Sequence, residues 1–93
     1  MFQPKVEKMF KVYVLYNPNH HKIYIGYTSD LPNRMESHNI YSKKGYTVKY
    51  RPWEILFTEV YDSKKEAIIR EKQLNSAKGR EYIWEGVYEK YKL

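Results

Sequence analysis

The sequence contains no cysteine. That excludes disulfide frameworks and thiolate zinc sites, and it is compatible with the reducing cytoplasm taken as the expected location. Four glycines and four prolines in 93 residues are too few for a collagenous or low-complexity chain. No apolar stretch approaches the ~20 residues needed to span a bilayer, so a membrane is not expected among its partners. Residues 1–11 lack the apolar core and cleavage site of a secretory signal. Acidic residues are the minority charge, 11 against 17 Lys and Arg, for a formal net charge of +6. Such a field attracts polyanions and raises non-specific affinity for nucleic acid. Many ordinary soluble proteins are equally basic, so charge alone divides evenly between the two readings.

What the chain has in abundance is aromatic side chains, 17% of residues with eleven Tyr. The length supports one compact domain with a thin core. Residues 1–10 read as a flexible leader and 11–93 as the domain. Lys11–Tyr16 and Lys22–Thr28 are β-branched and aromatic runs on either side of the polar segment Asn17–His21, the pattern of a β-hairpin. The first run is apolar on both faces, as suits a central, doubly covered strand. Ser29 or Asp30 can cap a helix with Pro32 in its first turn, carrying Leu31, Arg34, Met35 and His38 and ending near Asn39. Tyr41–Pro52 reads as a basic, aromatic loop and Trp53–Tyr61 as a third strand. Ser63-Lys-Lys-Glu66 has capping-box spacing and opens a helix through Ala67, Ile68, Glu71 and Leu74. Lys78-Gly79-Arg80 reads as a stop, and a last helix presents Ile83, Val87 and Tyr91 on one face. The expected fold is α+β, in the order β-β-α-β-α-α, with a small three-stranded mixed sheet and helices packed on it.

Glu71 carries the most chemical information. It falls within the helix arc that faces the sheet, where a carboxylate is costly without positive compensation. Two readings stay open on spacing alone: a Glu whose stem covers the core edge while its head pairs with a Lys, or a metal-binding carboxylate. Arg34 and His38, four apart, project from one helical face. An arginine there can hold a phosphate through its planar fork of donors or simply face solvent. His38 can orient a water, contact a phosphate, or finish the helix. Tyr13 and Tyr24 lie in neighbouring strands.

Several segments in order carry a family resemblance: Val12-Tyr13-Val14, Tyr24-Ile-Gly-Tyr-Thr-Ser-Asp-Leu31, Arg34, His38, Lys49-Tyr-Arg-Pro-Trp53, Arg70-Glu-Lys-Gln-Leu74 and Lys78-Gly-Arg80. Together they resemble the GIY-YIG nuclease superfamily, and within it the short, single-domain bacterial UvrC-like proteins. The resemblance spans roughly Met9 to Trp84. It implies a divalent-metal-dependent DNA endonuclease, with DNA repair or recombination as the setting. Under it Tyr13 matches the tyrosine that helps deprotonate the attacking water, and Tyr24 the one that positions water or phosphate. Gly26 matches the motif glycine, where the missing side chain permits close approach. Arg34 matches the arginine that stabilises phosphoryl charge, His38 a position held by His or Tyr, and Glu71 the metal-ligating glutamate. The implied cofactor is Mg²⁺ (or Mn²⁺), weakly held by one carboxylate. Lys11 stands where many members have Gly and Val12 where they have Ile; neither Asn39 nor Asn75 matches the family's downstream asparagine.

Lys43, Lys44, Lys49 and Arg51, interleaved with Tyr41, Tyr46, Tyr50 and Trp53, suit phosphate contacts beside stacked bases; Lys78 and Arg80 can extend that surface. Pro52 and Trp53 are expected to anchor the segment. The expected partner is DNA, recognised by its structure or with low sequence specificity, together with a partner protein or a second copy. The alternative from another class is a non-catalytic nucleic-acid-binding module on the same fold.

Overall fold

The computed structural model describes residues 9–93. Of the expected leader, residues 1–8 lie outside the described residues, while Phe10 already belongs to the first strand. Strand β1 (Phe10–Asn17) and strand β2 (Lys22–Thr28) form the expected hairpin, pairing Tyr13 with Gly26 and Leu15 with Tyr24. Strand β3 (Glu54–Tyr61) adds on the far side of β1, giving the order β2-β1-β3. Every pair is antiparallel, so the sheet is not mixed. The helix-containing crossover does join two strands that run the same way, but β1 lies between them and no parallel pair forms.

The central strand is covered on both faces, as its sequence predicted. Val12, Val14 and Tyr16 face helices α3 (Lys64–Asn75) and α4 (Ala77–Tyr91), packing with Ala67, Leu74, Ile83 and Val87. Tyr13 and Leu15 point the other way, onto Trp53 and onto Leu31 and Met35 of helix α1 (Leu31–Glu36). Asp30 is the residue that caps α1, accepting the Asn33 N–H at 3.2 Å. Ser63 Oγ accepts the Glu66 N–H at 3.2 Å, the forward half of the expected box, and so fixes the start of α3.

Two departures follow from local chemistry. The segment expected to be all loop contains a one-turn helix, α2 (Tyr46–Lys49), held where Trp53 Nε1 donates to Thr47 O at 2.7 Å; Trp53 is a buried anchor and β3 begins one residue after it. Lys78-Gly79-Arg80 is not a stop either. The break falls at Ser76, whose side chain accepts the Gly79 N–H at 3.2 Å and starts α4. A Cβ on Gly79 would lie 2.1 Å from Gln73 O and 2.5 Å from Leu74 Cα, so this glycine permits the tight corner between α3 and α4.

Candidate active site

The site starts from a strand pair with one side chain missing. Tyr13 and Gly26 are directly opposed in the hairpin. A Cβ on Gly26 would sit 2.5 Å from Tyr13 Oη and 2.7 Å from Tyr13 Cζ. The bare glycine therefore lets the Tyr13 ring lie across β2, and the close approach is to Tyr13 itself. Tyr24, two residues along β2, tilts against it with ring centroids 6.1 Å apart.

At that edge the chain forms a cleft of about 530 Å³ lined by Tyr13, Tyr24, Gly26, Arg34, Lys64 and Glu71, among others. Arg34 comes from α1, while Lys64 and Glu71 come from α3. Arg34 and Glu71 both lie close enough to Tyr13 to act on its hydroxyl, in opposite directions. Burial first, and then the neighbouring Tyr24, hold the proton on Tyr13 well above the usual tyrosine range, with Arg34 pulling the other way. Tyr13 is thus a neutral phenol at physiological pH.

His38 does not line this cleft. Instead of facing water or phosphate, it is buried behind Tyr13, with Nε2 2.9 Å from Tyr13 Oη. The reason is a π-helical turn, Ser37–Tyr41, that continues α1 and is closed by a bond from Ser42 N to Ser37 O at 2.9 Å. Such wide turns insert a residue and re-aim the side chains on them. Burial, then Arg34 and Arg51, push the His38 pKa below its ordinary value, so the ring is neutral. Its Nδ1 is buried with no partner among the described residues.

Arg51, expected to contact phosphate, is engaged elsewhere. Its Nε donates to His38 O at 2.5 Å, and one terminal nitrogen donates to Ser42 O at 2.5 Å and Ser37 O at 3.2 Å. The guanidinium closes the end of the π turn, where free carbonyls need donors. Asn39 clamps the same turn to Trp53, accepting its N–H at 2.7 Å, and Asn75 donates to Glu71 O at 3.1 Å. Both asparagines are therefore tied to backbone. Lys43 and Lys44 are exposed beyond the π turn. Lys49 lies 5.3 Å from the Tyr50 ring, with Lys22 at the same distance. Lys78 lines a separate depression between α3 and α4, and Arg80 is near Tyr46. None of these basic residues lines the cleft. Lys64 does; in the sequence it stands inside the Ser63–Glu66 capping signal, and its spacing of seven from Glu71 is the signal that places it on the same helix stripe.

Among the described residues no group of three or more His, Cys, Asp or Glu side chains could cage a metal. The cleft offers Glu71, half-buried, with tyrosine hydroxyls nearby. Among the described residues the single ion pair is Arg70–Glu59, so Glu71 is not taken up by a cation. This oxygen-only donor set fits a hard ion bound through one carboxylate that keeps most of its own waters, as Mg²⁺ does.

A three-stranded sheet clad on both faces, with two tyrosines, an arginine and a glutamate at one edge, is the layout of a GIY-YIG catalytic domain. The family model of that domain matches residues 9–86, and the chain belongs to the GIY-YIG family, a nuclease superfamily. It is 37% identical over 70 residues to a UPF0213 protein of Bacillus velezensis, covering 72% of this chain and 71% of that one. It is 40% identical over 65 residues to the UPF0213 protein YazA of Bacillus subtilis, covering 67% of this chain and 66% of that one. The solution NMR structure of the UPF0213 protein BH0048 from Bacillus halodurans superposes with a TM-score of 0.50 at 24% identity, covering 83% of each chain; that likeness bears on the fold.

Proposed function

We propose that the cleft hydrolyses phosphodiester bonds of DNA with the help of one divalent cation, Mg²⁺ or Mn²⁺, held by Glu71. The observation that carries this reading is the convergence of Tyr13, Tyr24, Arg34 and Glu71 on one cleft from four elements, β1, β2, α1 and α3. A domain that only bound nucleic acid would have no use for a half-buried carboxylate aimed where the phosphate must sit.

When bound, the cation supplies Lewis-acid stabilisation of the charge that builds on the phosphoryl oxygens. The remaining work falls to the chain. Arg34 presents its guanidinium to the scissile phosphate and offsets the same charge with directed hydrogen bonds. Tyr24 shares the cleft and positions the phosphate or the attacking water. Tyr13 is a poor base as a free phenol, but it has a proton acceptor behind it. With the imidazole proton on Nδ1, His38 Nε2 accepts the Tyr13 hydroxyl proton as Tyr13 takes one from the attacking water. His38 therefore acts through Tyr13 and needs no contact with substrate. Arg51 and Asn39 hold the π turn that places it. A single cleft makes one cut per encounter, so nicking is expected unless two copies pair.

The test is purified full-length protein against linear, branched and single-stranded DNA, with Mg²⁺, Mn²⁺ or a chelator. Cleavage that requires the cation supports the reading. Binding to all substrates without a cut under any condition would assign the chain to the non-catalytic class. Cleavage undiminished by chelator would remove the metal from the account and leave the fold untouched.

A further inference from the structure

Lys64 is a charged residue in the cleft that the resemblance does not assign. It is the first residue of α3, is exposed, and has no ion-pair or hydrogen-bond partner among the described residues. Glu71 follows seven residues later, about two helical turns, so the two side chains share one stripe of α3 separated by ~10 Å along the axis. Both line the cleft, whereas the adjacent Lys65 does not.

Its placement is unfavourable for folding alone. A cation in the first turn of a helix opposes the macrodipole, and that turn favours acidic residues. Here Lys64 and Lys65 precede Glu66, the one acidic residue of that turn, which is left with a net positive charge. A local rule broken at the mouth of a site, with no compensating partner, is expected where function needs the residue. The separation from Glu71 also limits the role. Arg34 lines the cleft with Tyr13 and Glu71; Lys64 stands about two turns from Glu71 on α3.

We propose that Lys64 holds a backbone phosphate of the bound DNA strand beside the scissile one, and so sets where along the strand the scissile phosphate comes to rest. This rests on the reading of the cleft as a DNA-cutting site. The contact is electrostatic and independent of base, in keeping with a register-setting role. Arg34 and Lys64 together make the cleft a two-point clamp on neighbouring phosphates, Arg34 on the scissile one and Lys64 on the one beside it.

The test uses binding, which does not need activity. Full-length Glu71→Gln protein, and the same protein carrying Lys64→Ala, Lys64→Arg or Lys65→Ala, is titrated with one DNA oligonucleotide across a salt series. Losing one phosphate contact reduces the steepness of the logarithmic salt dependence by about 0.9 on duplex or 0.7 on single-stranded DNA, and weakens binding about fivefold to tenfold at 0.1 M salt. That loss is expected for Lys64→Ala, is restored by Lys64→Arg, and is smaller for Lys65→Ala. A scan with one neutral methylphosphonate per oligonucleotide should find a position beside the scissile phosphate where the parent loses affinity and Lys64→Ala loses none. If Lys64→Ala matches Lys65→Ala and the two scans are the same, the role of Lys64 is overturned and the DNA reading stands. If no variant binds DNA at the lowest salt, the DNA reading falls and this inference with it. Thermal unfolding should show Lys64→Ala at least as stable as its parent, separating lost contact from lost fold.

Discussion

The ring of Tyr13 lies across its cross-strand partner Gly26, so closely that a Cβ at position 26 would stand 2.5 Å from the tyrosine oxygen. Gly26→Ala should therefore displace the tyrosine and strain the hairpin. The expected cost is about 1–3 kcal/mol of stability, the usual range for overpacking, together with a large loss of cleavage. Adding Tyr13→Phe should not recover stability, because the ring carbon Cζ would also clash, at 2.7 Å. Thermal unfolding and single-turnover cleavage check both parts; a Gly26→Ala protein of parental stability and rate would contradict the geometry.

Arg51 is predicted to act on stability before binding. It donates to three carbonyls around the π turn, and hydrogen bonds from charged groups are worth about 1.5–3 kcal/mol each when their partners are left unmade. Arg51→Ala should cost about 2–4 kcal/mol, allowing for partial solvation of the freed carbonyls. Arg51→Lys should recover little of it, since an ammonium lacks the planar fork. Lys49→Ala, by contrast, should weaken DNA binding without changing the unfolding midpoint. Equal stability losses in Arg51→Ala and Lys49→Ala would sink this assignment.

His38 gives the protein a pH dependence with a definite sign. Burial, with Arg34 and Arg51 nearby, lowers its folded-state pKa below the ordinary 6.5. Between that lowered value and 6.5 the unfolded chain binds more protons than the folded one. Stability from this group is therefore full above pH 6.5 and is lost as pH falls through the folded value. His38→Gln should flatten the stability profile below pH 6.5. The acid limb of the parent's cleavage rate should also lie below pH 6.5, because a protonated ring cannot accept from Tyr13. Chemical denaturation across pH measures the first effect; an unchanged slope in His38→Gln would contradict the placement.

Gly79 marks the corner between α3 and α4. Gly79→Ala would drive a Cβ into the Gln73 carbonyl and the Leu74 backbone at 2.1–2.6 Å. The expected result is loss of stability despite alanine's better helix propensity, read as a lower unfolding midpoint. A gain would contradict the close packing.

Much of this fold was legible because its signals are local. The hairpin, the buried character of β1, the Ser63 cap and the Ile83–Val87 face follow from strand and helix periods. The all-antiparallel pairing was not, because the sense of β3 depends on its long-range pairing with β1. The α3–α4 break was misread at Gly79 because a glycine that permits close packing looks the same in sequence as one that ends a helix. Tyr13, Tyr24, Arg34 and Glu71, which the family resemblance singled out, line one cleft. The burial of His38 and the engagement of Arg51 depend on a π turn that no residue pattern announced. Lys64 was hidden inside a capping signal that correctly explained its neighbours and said nothing of the cleft.

On the proposed reading, Glu71 makes the cleft an active site and not merely a binding one. The direct measurement of this is single-turnover cleavage and equilibrium binding of one DNA substrate by the parent and by Glu71→Gln, in Mg²⁺ and in Mn²⁺. Glu71→Gln should lose at least about a hundredfold in rate, on the order of a lost charge-stabilising group, with binding kept or tightened as a negative charge leaves the cleft. Glu71→Gln cleaving at the parental rate would contradict that reading.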